Sequence, residues 1–353
     1  MKSHIFSNNI LQLFLRGLLA FTIVCCWQLC AFAQDGMQQY PVPQTVSPQL
    51  QKFITCTPLL PYWNAHPRTP AEWQKLVDQS AKVMRQKNAL LLAKLKVQVA
   101  TTKLNGVSVQ TLIPETVDPE QQGRVLLHIH GGGYVFHPDG TGIDEAIMMA
   151  AFSRMRVVSV DYRMPPKYPY PAALDDVFLV YKELLKTYTP KSIGVFGSST
   201  GGGLTLALVL RAKAEGVPLP AAIAPGSPWS DLAKIGDTYF THAGQDNVLV
   251  TYDGWLGEAA RLYANGHPLN DPYLSPVYAD VTGFPPALLT SGTRDLFLSN
   301  TVRMHLKFLQ AGVPAELVVF EGMSHVLYQA DPDIPEVQFH FELLRKFFVR
   351  NFQ

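Results

Sequence analysis

The stretch Val195-Phe196-Gly197-Ser198-Ser199-Thr200-Gly201-Gly202 constrains the fold of this chain more than any other. An apolar run, residues 192–196, leads directly into a Gly-x-Ser-x-Gly frame, and a small-residue segment, 202–215, follows with helical character. Strand, sharp turn and helix in that order put a serine at the apex, with its hydroxyl clear of the backbone. A turn this tight brings two backbone segments together, so a Cβ at position 197 or 201 would collide. Only Ser199 has glycine two residues before and two residues after it. Ser198 has Phe196 and Thr200 at those offsets, so the frame selects Ser199 of the adjacent pair.

The remaining pattern supplies the sheet that such a turn requires. Residues 124–130, 157–161, 192–196, 221–224, 286–290 and 315–320 read as strands. Segments 144–154, 172–188, 202–215, 299–311 and 336–352 read as helices that alternate with them. The central strands are continuous apolar runs, as strands covered on both faces should be. The alternation predicts an α/β fold, a mostly parallel central sheet with helices on both faces. Ahead of it, residues 38–48 are rich in Gln and Pro and read as a flexible lead-in. Thr69 as N-cap and Pro70 at the first helical position open a helix whose apolar spacing, Trp73, Leu76, Val77, Ala81 and Met84, carries it to Leu92. Segments 96–100 and 107–113 read as a hairpin about Asn105-Gly106.

Residues 229–284 break the rhythm. They contain no strand signal and one helical piece, 252–263, yet fall between two core strands. Long insertions in compact domains commonly carry function. With the N-terminal helix, this one is expected to form a helical cap over the mouth of the site.

Charge and cysteines narrow the function classes. The 353 residues suit one large domain or two small ones, and 29 Lys and Arg against 28 Asp and Glu leave a formal net charge of +1. That balance gives no attraction to nucleic acid or to an anionic membrane surface. There is no Gly-rich phosphate loop and no metal-ligand Cys or His spacing, so neither a cofactor nor a metal is expected. Lys2 and Arg16, the apolar run 17–29 and Ala31-Phe32-Ala33 have the form of a secretory signal peptide, residues 1–33, cut before Gln34. The apolar run is short for a membrane span. The expected mature protein is therefore exported, periplasmic or secreted, without stable membrane association. Cleavage removes Cys25, Cys26 and Cys30 and leaves Cys56, so no internal disulfide is expected. Cys56, in a polar leader, reads as structural or incidental. Residues 34–353 are expected to form a single domain, with a leader and cap helices in 34–95 and a cap insertion in 229–284. The sequence leaves a homodimer open.

A serine hydroxyl is a weak nucleophile until a base takes its proton, the base needs an orienting group, and the developing oxyanion needs N–H donors. On an elbow of this kind the partners follow in the order serine, acid, histidine. His325 follows the last strand in a loop, Glu321-Gly322-Met323-Ser324-His325, at the carboxyl end where open α/β sheets place their sites. His305 and His340 fall within helices and read as surface or packing residues, and His242 and His267 lie in the insertion. Asp295, in Ser291-Gly292-Thr293-Arg294-Asp295, also sits at a strand's carboxyl end. Asp271 and Asp280 belong to the insertion and read as turn residues. Glu321 lies on the wrong strand. His130-Gly131-Gly132-Gly133 follows strand 124–130, and three glycines let backbone N–H groups approach a ligand unobstructed. The N–H of Thr200, at a helix start, is a second source of donors.

These residues resemble the hormone-sensitive-lipase-like esterases, the bacterial family IV of the α/β-hydrolases. The likeness runs from about residue 124 to the C-terminal helix. The family's His-Gly-Gly-Gly loop matches His130 to Gly133, and its Gly-Asp-Ser-Ala-Gly-Gly elbow matches Gly197 to Gly202. Its Tyr-Arg-Leu-Ala-Pro-Glu segment is similar to Tyr162-Arg163-Met164-Pro165-Pro166-Lys167. Thirty residues separate Asp295 from His325, the family's interval. Ser227-Pro228-Trp229-Ser230-Asp231 and Asp271-Pro272-Tyr273-Leu274-Ser275-Pro276 look like the small-ester and lactone hydrolases of this branch. The resemblance implies Ser199 as nucleophile, His325 as base, Asp295 as orienting acid, and the N–H groups of Gly132, Gly133 and Thr200 as oxyanion donors. It implies a small-molecule ester with a short acyl chain as substrate. A lactone hydrolase or acyltransferase using the same triad, and a non-catalytic ligand-binding relative, are the alternatives. The chain departs from the family pattern at Ser198 and Thr200, where Asp and Ala are common. It also has Lys167 for Glu, Asp295-Leu296-Phe297 for Asp-Pro-Leu, and Val326 for the Gly that follows the histidine.

Overall fold

The computed structural model describes residues 41–353. The expected signal peptide, residues 1–33 with its three cysteines, and the first leader residues lie outside the described residues. The first element is a helix, α1 (Pro48–Cys56). It begins at the last residue of the expected lead-in, and residues 41–47 before it lie in no helix or strand. Ser47 caps it by accepting from the Leu50 amide at 3.2 Å, and Ser47 in turn donates N–H and Oγ–H to Glu336 at 2.6 and 2.7 Å. A nine-residue helix is marginal alone. This one is fixed by its partner near the far end of the chain and by burial of Leu50. Cys56 closes it and is exposed.

Helix α2 (Pro70–Leu95) starts where the sequence placed it and runs three residues beyond Leu92. Thr69 and Glu72 form a reciprocal capping box, and Lys96 ends the helix in the left-handed region at φ +54°. Strands β1 (Val97–Leu104) and β2 (Val107–Pro114) form the expected hairpin. Asn105 and Gly106 both have positive φ, +48° and +85°, the condition for the tight turn that matches strand twist.

The chain then alternates through β3 (Val125–Ile129), α3 (Asp144–Ser153), β4 (Val157–Asp161), α4 (Ala172–Leu184), β5 (Ile193–Ser198), α5 (Thr200–Ala214) and β6 (Ala222–Gly226). A short helix, α6 (Thr238–Thr241), and α7 (Trp255–Ala264) fall inside 229–284, where no strand occurs. The fold closes with β7 (Ala287–Gly292), α8 (Leu298–Gln310), β8 (Ala315–Phe320) and α9 (Pro335–Asn351). Eight strands form one sheet in the order β1-β2-β4-β3-β5-β6-β7-β8. From β4 to β8 every pairing is parallel, while β1–β2 and β2–β4 are antiparallel.

Alternating side chains divide the core between the faces. Val125, Leu127, Val195, Ile223 and Leu289 pack with Val177, Leu206, Val209 and Phe308 of α4, α5 and α8. Leu126, Phe196, Ala222 and Leu288 pack with Ile147, Phe341 and Phe348 of α3 and α9. Each fully buried side chain of this size contributes about 1.5–3 kcal/mol. The two layers make the sheet a rigid platform for the loops at its carboxyl edge.

Candidate active site

Four of those loops meet. The elbow leaves β5 at Ser198 and enters α5 at Thr200, two residues before the sequence placed the helix start. Ser199 between them has φ +61° and ψ −123°, a conformation that L residues avoid and that marks an enforced turn. Its amide donates to the Gly226 carbonyl at 2.9 Å, and its carbonyl accepts from Trp229 N at 2.9 Å. The glycine frame does what its sequence required: a Cβ on Gly197 or Gly201 would strike the Ile129 carbonyl oxygen. The elbow is therefore seated on the end of β3.

The loop after β3 folds back over Ser199. Gly132 has φ +115° and Gly133 φ +63°; a Cβ on the first would lie 2.8 Å from the Phe136 carbonyl oxygen, and on the second 2.6 Å from the Trp255 ring. His130 donates from Nδ1 to the Gly131 carbonyl at 2.7 Å and stacks on Tyr162 with ring centroids 4.1 Å apart. Tyr162 also donates its hydroxyl to the His130 carbonyl at 2.8 Å. Burial drives the His130 pKa down to about 3, so this imidazole is neutral and serves as a brace. Arg163, next in the chain, grips Asp176 of α4 through Nε and Nη2 at 2.8–3.0 Å, which ties the segment after β4 to that helix. Thr200 opens α5, where first-turn amides have no carbonyl one turn back to bond, so its N–H is available beside Ser199.

Asp295 follows β7 and is fully buried. Its Oδ1 accepts from His325 Nδ1 at 2.9 Å and from the Phe297 amide at 2.8 Å, and its Oδ2 accepts from Ser291 Oγ at 2.8 Å. Burial pushes this carboxyl upward, but the His325 imidazole and the other hydrogen bonds to the carboxylate together outweigh burial and hold it below the usual range. His325 follows β8, is 2 % exposed, and packs against the edge of Phe297 with centroids 4.8 Å apart. Its Nε2 has no hydrogen-bond partner among the described residues. Ser199 and His325 both border one cavity of about 720 Å³. The N-terminal segment (Leu60, Tyr62) and α2 (Val83, Met84) form part of its wall, and Val248, Leu249 and Trp255 of the 229–284 region form another part.

The structure thus brings the predicted site residues together at the carboxyl edge of the sheet and gives the rivals other partners. His305 reaches the Ala315 carbonyl from α8, His340 is buried in α9, and His267 packs on Tyr170. His242 donates from Nδ1 to the Asp295 backbone carbonyl, not to its carboxylate. Asp271 and Asp280 accept from Tyr273 N and Thr282 N, as turn residues do.

Two buried carboxylates next to Ser198 and the Asp295 loop escaped sequence reasoning. Glu145, on α3 and also in the cavity wall, accepts from Ser198 Oγ at 2.7 Å and pairs with His128 Nε2 at 3.3 Å. Asp246, in the insertion, accepts four backbone amides. Burial and the neighbouring Asp295 carboxylate push the Asp246 carboxyl upward. Neither residue has a sequence signature. Glu145 sits beside Asp144 at a helix start, and Asp246 stands among Gly and Asn residues typical of a turn.

Known proteins are similar to this chain in sequence and in fold. A family model described as alpha/beta hydrolase fold matches residues 126–329. An acetyl-hydrolase of Streptomyces hygroscopicus is 32% identical over 65% of this chain and 77% of its own length. The crystal structure of an esterase E25 superposes with a TM-score of 0.87 at 42% identity, covering 91% of this chain and 99% of that one. That of an esterase from the bacterial hormone-sensitive lipase family gives 0.69 at 28% identity, covering 82% and 100%. The chain belongs to the α/β-hydrolase fold family, in its hormone-sensitive-lipase-like branch, and is a serine ester hydrolase of the carboxylesterase type.

Proposed function

We propose that Ser199 is the nucleophile, His325 the general base and Asp295 the group that fixes the imidazole, acting on small carboxylic esters with short acyl chains. The observation that carries this reading is the 2.9 Å bond from His325 Nδ1 to Asp295. It commits Nδ1 as donor and leaves Nε2 as the proton acceptor, in the wall of the cavity that Ser199 borders. Ser199 Oγ attacks the carbonyl carbon as its proton passes to Nε2. The carbonyl oxygen takes the negative charge and receives the N–H groups of Gly132, Gly133 and Thr200. Collapse breaks the ester C–O bond, and the alkoxide leaves with the proton from Nε2. Water then repeats the sequence on the acyl-enzyme and releases the carboxylic acid.

The short acyl chain rests on family likeness and on a relative that is itself named an acetyl-hydrolase. The walls contributed by Leu60, Tyr62, α2 and the 229–284 region support a helical cap on a single domain, residues 34–353. Among the described residues no helix is long and apolar enough to cross a membrane. Export rests on the form of residues 1–33, and recovery of uncleaved protein in the cytosol alone would remove it. The test of the reaction is a panel of p-nitrophenyl esters of increasing acyl length, lactones and anilides, with Ser199→Ala as control. Turnover that falls with acyl length and vanishes in Ser199→Ala is expected. Lactones hydrolysed faster than every ester would move the assignment to a lactonase, and equal activity in Ser199→Ala would end the triad reading.

A further inference from the structure

Residues 242–249 lie against both loops that carry the proposed acid and base. His242 donates from Nδ1 to the Asp295 carbonyl at 3.0 Å, and the Asn247 amide donates to Ser324 Oγ at 3.3 Å. Between them stands Asp246, fully buried. Its Oδ1 accepts the Val248 and Leu249 amides at 2.8 and 3.0 Å, an ordinary turn closed on its own segment. Its Oδ2 accepts two amides from elsewhere: Leu296 at 2.8 Å and His325 at 3.2 Å. Leu296 directly follows the proposed acid, and His325 is the proposed base. One oxygen atom therefore spans the loops after β7 and β8.

A turn residue accounts for Oδ1 and leaves Oδ2 unexplained. Oδ2 closes no turn of its own: both of its partners belong to the loops that carry the proposed acid and base. Position 296 adds a second sign. The family pattern has proline after the acid, and proline has no N–H to give. This chain has Leu296, whose N–H is the group that Asp246 takes. We propose that Asp246 is a positioning residue of the hydrolytic reaction: through Oδ2 it holds the backbone of the acid loop and of the base loop in register, and locks both to the segment that supplies Val248 and Leu249 to the cavity.

The inference rests on the triad assignment, and the experiment separates the two. Asp246→Asn keeps the shape but turns an NH2 group toward one pair of amides. Activity is measured as kcat per site titrated with a fluorophosphonate, so unfolded molecules do not count. The expected result is a fall of about 100-fold in kcat, the scale of a misplacement of about 1 Å, with KM within about twofold. A kcat per titrated site equal to wild type would reduce Asp246 to a brace and overturn the proposal. Ser199→Ala and Asp295→Asn are assayed beside it. If they hydrolyse esters as wild type does, the triad reading fails; if they are inactive and Asp246→Asn is unimpaired per site, only the role of Asp246 fails. A further measurement uses wild-type protein and needs no variant to fold. The Leu296 and His325 amides should exchange with deuterium as slowly as those of β7, and exchange within the dead time would overturn the proposal equally.

Discussion

Ser198 donates a hydrogen bond from its hydroxyl to Glu145 at 2.7 Å, and Tyr328 donates one from its hydroxyl to Ser198 at 3.2 Å. Related elbows carry aspartate at this position; here a carboxylate already stands opposite, on α3. Two carboxylates about 3 Å apart cannot both ionise, so the family's residue is wrong for this chain. Ser198→Asp is expected to lower kcat/KM at least about tenfold and to destabilise by about 1–3 kcal/mol, the cost of a buried polar group left unmatched. Adding Glu145→Gln should restore much of both, and a double-mutant cycle of urea midpoints and rates measures the coupling. Additive effects would show that the two side chains act separately. The sequence marks Ser198 as a departure but hides the reason, because its partner lies 53 residues away and only the fold joins them. Ser199, by contrast, is legible because its constraint is local: the glycines that free its backbone are two residues to either side.

Elements show the same division between local and distant causes. Strand β4 and strand β8 begin and end where the apolar runs do, and the Asn105-Gly106 turn carries its own geometry. What local pattern does not reveal is β2 wedged between β1 and β4, because register such as Ser108 against Asp161 is decided across the sheet. Helix α1 is the clearest case. Its sequence is short and opens on proline, and what holds it is the two-bond grip of Glu336 on Ser47. Glu336→Ala is therefore expected to release α1 while leaving the elbow and triad in place. The global cost should be about 1–2 kcal/mol, since hydrogen bonds to a charged group are lost from a partly exposed site. Limited proteolysis should cut residues 45–57 many times faster, with kcat changed by less than about twofold. Unchanged proteolysis would mean that Leu50 packing alone fixes the helix. A parallel loss of kcat would mean that α1 supports the cavity wall.

At the scale of the whole molecule, the same burial that shapes the core also sets a pH dependence. His340 is 2 % exposed in α9, amid Tyr328, Phe320 and Phe341, and neither ring nitrogen has a partner among the described residues. The sequence allowed it to be a surface or a packing residue, and only the turn of α9 against the sheet chooses packing. Burial drives its pKa down to about 3, as it does for His130. A histidine in the unfolded chain titrates near 6.5. Between those values the unfolded state binds a proton that the folded state refuses, so stability falls as pH drops below about 6.5 and goes on falling toward about 3. Asp295 acts in the same direction, since its carboxyl is held below the usual range and its contribution is lost as pH falls through that value. Asp246, with its carboxyl raised, acts in the opposite direction. Each neutral buried histidine contributes a slope of up to about 1.4 kcal/mol per pH unit, or about 2 kcal/mol between pH 6.5 and 5. His340→Leu removes one such slope without changing any proposed site residue, because Leu fills a similar volume and has no proton to take. Urea unfolding at pH 7 and pH 5 should therefore show the variant losing up to about 2 kcal/mol less than wild type on acidification. Identical losses in the two proteins would mean that the helix α9 region opens enough to let His340 protonate in the folded state. The acid lability would then rest on His130, His137 and Asp295.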